Sequence, residues 1–352
     1  MKKRGKGMAV MWYPVGPGGE NGSPARLEMD EDGILTLFIG APDVGQGSST
    51  ALAQIAADAV GVPFESVRVF AADSAITPPD YGSVGSRVTY MQGNSVRMAG
   101  EKMRDLLLMT AKEMLNSPAA DLEIVEGKIR DLQCRDVQLE VAVVARRTIG
   151  NSGKPIETSG LFHPVGSKTV DPETGQGTIY PSFVYATQVA EVEVDTETGD
   201  VVILRIVAAH NAGTVINPML LEGQISGGIA QGIGMALTEE VKLREGRTLN
   251  RGLMDYTLPT TLDVPDIEFS HVEIADDAGP YGAKCVGEPA LVPTAPAILN
   301  AIHNAIGVRI YDLPATPEKI LRALDAARLG NDKTAAVERG SFSAVQNAAV
   351  GP

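Results

Sequence analysis

Apolar and polar positions along this chain follow two periods, and each period marks a different kind of element. Residues Gly7–Pro14 read as an apolar strand that carries the only tryptophan, Trp12. Ala25–Met29 and Ile34–Ile39 alternate around Asp30-Glu31-Asp32-Gly33, which predicts a hairpin. Val189–Val194 and Val201–Ala209 do the same around Asp195-Thr196-Glu197-Thr198-Gly199-Asp200. The helical period appears at Ala51, Leu52, Ile55, Ala56, Ala59 and Val60. A longer stripe of Val96, Ala99, Met103, Leu107, Ala111 and Met114 predicts a long helix whose apolar face is core. Further strands are expected at Val67–Ala71, near Arg251–Tyr256 and at Ile267–Val272, with short strands and a helix over Asp121–Ala145. An apolar helix is expected near Ala295–Ile306. The last helix is capped by Thr316, with Pro317 at its first position.

One order of elements occurs twice. The first hairpin leads through Gly45-Gln46-Gly47 into a helix. The second leads past Asn217-Pro218 to Glu222-Gly223-Gln224-Ile225, which opens a helix through about Leu237. This predicts duplication of an α+β unit, with Gln46 and Gln224 at comparable points. The stretch Asn151–Thr178 is rich in Gly, Pro, Ser and Thr and places a boundary within it. The expected organisation is one mixed sheet-and-helix subdomain over 1–165, a related one over 166–328, and a mobile tail over 329–352.

Composition narrows the function. A chain of 352 residues, 44% hydrophobic and 21% charged, is an ordinary globular protein with room for a large core. A formal net charge of −14 argues against nucleic acid or an anionic membrane as the main partner. The two cysteines, Cys134 and Cys285, form no C-x-x-C pair, so iron–sulfur or zinc ligation by this chain alone is not expected. Few cysteines and no disulfide framework suggest the cytoplasm. The basic start, Met1–Lys6, precedes an apolar run too short and too broken for a signal peptide. No apolar run nears the roughly 20 residues that span a bilayer. His163, His210, His271 and His303 are scattered without metal-ligand spacing.

Three stretches carry candidate chemistry. In Lys284-Cys285-Val286-Gly287-Glu288-Pro289-Ala290 a single carboxylate sits between a glycine and a proline, ahead of an apolar helix. Gly287 admits close approach to the backbone, and Pro289 biases Glu288 towards an extended conformation. Glu288 reads either as a desolvated general base or as a solvated surface-turn acid. Around Gly45, Gln46 and Gly47, serines and glycines at a helix start offer backbone N–H groups to an anion, and Gln46 offers an amide to a flat heterocycle. An ordinary strand-to-helix turn accounts for the same residues. The third stretch, Tyr81 to Tyr90, is a second glycine- and serine-rich loop, with Arg87 as a possible cation for phosphate.

Taken in order, Asp43-Val44-Gly45-Gln46-Gly47, Gly85-Ser86-Arg87, Asn217-Pro218, Gly223-Gln224, Val286-Gly287-Glu288-Pro289 and Pro314-Ala315-Thr316-Pro317-Glu318-Lys319-Ile320 resemble one family. It is the xanthine dehydrogenase/aldehyde oxidase family, in the C-terminal half of its molybdenum-binding part, from about Lys3 to Leu324. The resemblance implies molybdopterin, in its cytosine dinucleotide form, with the molybdenum held by the pterin dithiolene and carrying a terminal sulfido or selenido ligand. It implies that Gly45, Gln46 and Gly47 meet the pterin and phosphates. It also implies that Ser83, Gly85, Ser86 and Val88 form a second cofactor loop, that Gln224 adds an amide contact, that Gly287 belongs with the cofactor-binding residues, and that Glu288 is the base. The implied reaction is hydroxylation with oxygen from water, with the proton taken by Glu288 and hydride passed to the terminal ligand.

The family's iron–sulfur and flavin parts, and the first half of its molybdenum part, are not in this sequence. The expectation is therefore a separately encoded subunit, similar to the medium molybdopterin subunit of bacterial nicotinate dehydrogenases. Its active site would lie at the junction with a larger molybdopterin subunit, with FAD and [2Fe–2S] clusters in other partners. On that resemblance Tyr13 is a substrate contact; on its own chemistry it reads equally as a core tyrosine. The expected activity is hydroxylation of an N-heterocycle, nicotinate favoured, linked to NAD or NADP through partners. A purine or xanthine dehydrogenase subunit and a non-catalytic molybdopterin carrier are the alternatives.

Overall fold

A computed structural model of the chain describes residues 1–16, 22–116, 121–134, 138–164 and 170–329. Its strands are β1 (Lys2–Pro14), β2 (Ser23–Met29), β3 (Leu35–Ile39), β4 (Val67–Ala71), β5 (Leu122–Val125), β6 (Lys128–Asp131), β7 (Gln138–Glu140), β8 (Ile156–Phe162), β9 (Phe183–Asp195), β10 (Val201–Asn211), β11 (Leu243–Arg244), β12 (Arg247–Thr248) and β13 (Ile267–His271). Its α-helices are α1 (Ser48–Val60), α2 (Val88–Leu115), α3 (Val141–Ile149), α4 (Pro218–Leu237), α5 (Thr294–Ile306) and α6 (Pro317–Arg328). The fold class is α+β, as the alternation predicts.

The duplication is visible in the topology. One sheet has the order β4-β3-β2-β8 and the other β13-β10-β9-β1. In each, a hairpin (β2–β3, β9–β10) passes through a helix (α1, α4) to a strand parallel to the hairpin's second strand. An antiparallel strand then closes the other side, β8 against β2 and β1 against β9. The first sheet buries Leu27, Met29, Leu35 and Leu37 against α1, α2 and α3. The second buries Val192, Val194, Ile206 and Ala208 with Ile229 of α4, Ile298 and Ile302 of α5 and Ile320 of α6. A small sheet, β5-β6-β7, attaches to the first.

Four details differ from the sequence-based expectation. Strand β1 starts at Lys2 rather than Gly7 and pairs with β9 along its whole length, Lys2 opposite Asp195 and Pro14 opposite Phe183. Residues 2–14, expected with 1–165, thus lie in the sheet of the second unit. Gly5 and Gly7 let α5 lie directly on β1, because a Cβ at either would run into the backbone around Ala301. The 165/166 boundary, Pro17–Gly19 and the tail beyond Leu329 lie outside the described residues. The second difference is at Arg251–Tyr256. It forms turns instead of a strand, with Gly252 O accepting from Asp255 N and Tyr256 N.

Third, α4 begins at Pro218, so Gly223-Gln224 falls within its second turn rather than ahead of it. Asn217 causes this by capping the helix, its Oδ1 accepting from Leu220 N at 3.0 Å with Pro218 following. Fourth, Glu288, expected to be extended ahead of Pro289, instead opens a single 3-10 turn, Glu288–Ala290. No helix among the described residues is long and apolar enough to cross a membrane.

Candidate functional site

The loops that enter α1 and α2, the start of α4 and the Glu288 turn converge on one cavity of about 610 Å³. Nine of the expected residues line it: Gly45, Gln46, Gly47, Ser83, Ser86, Val88, Gln224, Gly287 and Glu288. Gly85 and Tyr13 do not. The Gly85 carbonyl instead accepts from Gly16 N at 2.6 Å and ties the end of β1 to the second loop. Tyr13 is half-buried, and its phenol is raised above its ordinary value by burial first and then by the charge of Glu288. It therefore sits within electrostatic reach of the carboxylate while lying off the cavity wall.

Glu288 is half-buried. Ser86 Oγ donates to its Oε2, and Glu288 N donates back to Ser86 Oγ at 3.2 Å. Ser86 is held at φ +51°, an uncommon conformation for a residue with a side chain. The backbone behind Glu288 is pinned by fully buried Gln188 of β9. Its Nε2 donates to Ala290 O at 2.7 Å, and its Oε1 accepts from Thr294 Oγ1 at 2.7 Å. Buried amides with both ends satisfied rigidify their surroundings, so the acid stands on a fixed mount.

The loop entering α1 differs from the expectation of free N–H groups. Asp43 Oδ1 accepts from Gly45 N at 3.0 Å and Gly47 N at 3.2 Å, and Oδ2 from Ser49 N at 3.0 Å. Partial desolvation works to raise this carboxyl, and those N–H bonds outweigh it and hold it below the ordinary value. Gly47 has no side chain to cap α1, so Asp43 does so from outside the helix. The Gln46 amide is likewise engaged. Its Oε1 accepts from Val44 N at 2.6 Å, while Nε2 reaches Pro42 O at 3.0 Å, Ser48 Oγ at 2.8 Å and Ser83 Oγ at 3.3 Å. It braces the two loops against each other.

Other wall residues are open or sealed. The Gln224 amide makes none of the described hydrogen bonds, although it faces the cavity. Arg87 is buried against Asp80 at 2.6 Å, and its Nη2 is buried with no partner among the described residues. Lys284 is buried with its ammonium 5.6 Å from the centre of the Tyr185 ring. Cys285 is buried under Tyr90 N at 3.0 Å, and burial pushes its thiol up to about 12. Asp43, Asp80 and Gln188 are polar residues beside short turns or within a strand. The partners of Gln188 lie more than 100 residues away, and Asp80 joins distant Ser23 to its neighbours Gly82 and Arg87, whereas the Asp43 turn, an Asp followed by glycines, was a readable local signal.

The comparisons with known proteins agree on a family. Residues 1–265 match the molybdopterin cofactor-binding domain. The chain belongs to that family. It is 33% identical over 332 residues to the xanthine dehydrogenase molybdenum-binding subunit of Escherichia coli O157:H7, covering 93% of this chain and 43% of the relative. It is 34% identical over 303 residues to the nicotine 6-hydroxylase large subunit of Paenarthrobacter nicotinovorans, covering 85% and 36%. Among solved structures, quinoline 2-oxidoreductase from Pseudomonas putida 86 superposes with a TM-score of 0.81 at 30% identity, over 92% of this chain and 42% of that one. The chain thus spans less than half the length of these relatives. The cavity suits a molybdopterin: among the described residues its walls carry a Gln224 amide without a hydrogen-bond partner, glycine-lined backbone at Gly45 and Gly47, and Arg87, whose buried Nη2 also has no partner.

Proposed function

We propose that this chain is the molybdopterin-binding catalytic subunit of a multi-subunit molybdenum hydroxylase that hydroxylates an N-heterocycle with oxygen from water. The observation that carries this reading is the mounting of Glu288 on the wall of a cavity suited to the cofactor, oriented by Ser86 across 202 residues of sequence. When bound, the molybdenum–pterin group supplies an activated oxygen and a two-electron acceptor. The residues of this chain do the rest. Glu288 takes the proton at its carboxylate, Ser86 fixes that carboxylate, and Gln188 keeps the supporting turn in place. Gln224 and the Ser83–Val88 loop hold the cofactor, with Arg87 Nη2 as a donor to its phosphates. Tyr13 meets the substrate at the side of Glu288.

The names of the three relatives described above involve xanthine, nicotine and quinoline, all N-heterocycles, which supports that substrate class. Within it we favour nicotinate, with xanthine as the second substrate to test. We assign the cofactor to the cytosine dinucleotide form with a terminal sulfido or selenido ligand, and the enzyme to the cytoplasm. FAD and [2Fe–2S] partners carry electrons to NAD or NADP. In the complex isolated from its source, Glu288→Gln lowers turnover of the accepted heterocycle by about 10² to 10⁴-fold, while molybdenum and pterin content stay at the wild-type level. Unchanged turnover removes Glu288 from the reaction, and absence of molybdenum from the wild-type complex removes the whole reading.

A further inference from the structure

The outer face of the sheet β13-β10-β9-β1 is divided into two zones. Even-numbered positions of β1 point outwards and stand opposite odd-numbered positions of β9. At the lower end the charges are already satisfied: Lys2 and Arg4 pair with Glu193 at 2.9 and 3.0 Å, and Lys6 pairs with Glu191 at 2.9 Å. At the upper end the same alternation presents Met8, Val10 and Trp12, which are 58%, 68% and 68% exposed, beside Tyr185 at 51%. Trp12 packs on Phe183 with ring centres 5.0 Å apart. An apolar, aromatic surface of this kind, continuous across two strands, marks an interaction site rather than scattered exposure.

Two further observations say what covers it. The Lys284 ammonium stands over the Tyr185 ring, 5.6 Å from its centre, and Lys284 lines the cavity, so the patch runs up to the cavity rim. The relatives carry more than half of their length beyond the stretch that this chain spans. We propose that the Met8–Val10–Trp12–Tyr185 patch docks that complementary portion of a molybdenum-binding subunit and seats it against the rim beside Glu288. The docking face of the partner is apolar, with room for an indole, because Met8, Val10, Trp12 and Tyr185 carry no charge themselves. Trp12 is the central anchor. The inference rests on the proposed function for the identity of the partner.

The test uses the full chain, tagged and isolated with its associated chains from the native source, as wild type and as Val10→Asp/Trp12→Asp. The expected result is that a chain homologous to the uncovered part of the relatives accompanies the wild type, and that the double variant retains it at least tenfold less. The isolated variant keeps the wild-type melting temperature within a few degrees. As a second measurement, 5-fluorotryptophan in this chain gives a single ¹⁹F resonance from Trp12. That resonance has a solvent isotope shift in the isolated chain and loses it in the complex. The docking proposal is overturned if the double variant retains the partner as the wild type does, or if the resonance stays solvent-exposed in the complex. It is equally overturned if the patch pairs two copies of this chain, or if no such chain accompanies it. An active Glu288→Gln complex with Trp12 protected would sink the proposed function and leave the docking surface standing.

Discussion

Gln46 and Gln224 face the same cavity from the two copies of a repeated unit, yet the fold uses them in opposite ways. Gln46 lies in a loop whose backbone needs partners, and its amide is taken up by Val44, Pro42, Ser48 and Ser83. Gln224 lies within α4, where the helix satisfies the backbone, and its amide is left facing the cavity. Asp43 sharpens the contrast, because it neutralises three N–H groups at the start of α1, while Asn217 caps α4 six residues ahead of the Gly223 position. A glutamine in a glycine-rich turn is absorbed by the turn, whereas one on a capped helix stays available to a ligand. The first wall of the cavity is thus a self-satisfied rim, and the second is the wall with free donors.

The largest effect on stability expected from this contrast is at Asp43. Asp43→Ala leaves Gly45 N, Gly47 N and Ser49 N without their acceptor. Water reaches the exposed loop, so the cost is that of a lost cap, about 1–2 kcal/mol. Chemical denaturation measures it. The same carboxylate gives the pH dependence. Its folded value is lowered, so its contribution is complete above the ordinary value of 3.8 and is lost as the pH falls through the folded one. Wild type and Asp43→Ala should therefore converge in stability at strongly acidic pH. A constant difference between them would show that the N–H bonds are not what holds the loop.

Gln46→Ala is expected to cost about 1 kcal/mol, through the lost brace to Val44 N and Ser83. The comparison breaks if this variant is neutral in stability while its cofactor content collapses, since Gln46 would then be a ligand contact and not a brace.

Much of this was legible beforehand, and the reasons for the misses are physical. The two hairpins were readable because Asp30 to Gly33 and Asp195 to Asp200 carry turn chemistry between alternating strands. The first residues of β1 were not, because charged residues and glycines alternate there. That strand is specified by Glu191 and Glu193, far away in the sequence. Gly223 reads as the entry to a helix but lies inside one, as do Gly227 and Gly228. Gly228 needs no side chain because Ala290 presses on α4 at that point. The Glu288 motif stands out in the sequence, whereas its partner Ser86 and its support Gln188 are set by tertiary contacts that no local pattern encodes.

The smallest effect on stability, and the one that tests the open wall directly, is at Gln224. Its side chain makes none of the described hydrogen bonds, so Gln224→Ala removes no internal partner, and the change in unfolding free energy should stay within about 0.5 kcal/mol. The consequence should appear instead in the isolated complex, as molybdenum and pterin lost on dialysis several-fold faster than from wild type. Paired with Gln46→Ala, this gives a crossed result: one glutamine matters to the folded chain, the other to what the cavity holds. If Gln224→Ala destabilises the chain as much as Gln46→Ala does, the amide has an internal partner and the two walls are not different in kind. If it changes neither stability nor retention, the free donor on α4 faces the cavity without serving it, and the cofactor is held from the Ser83–Val88 side.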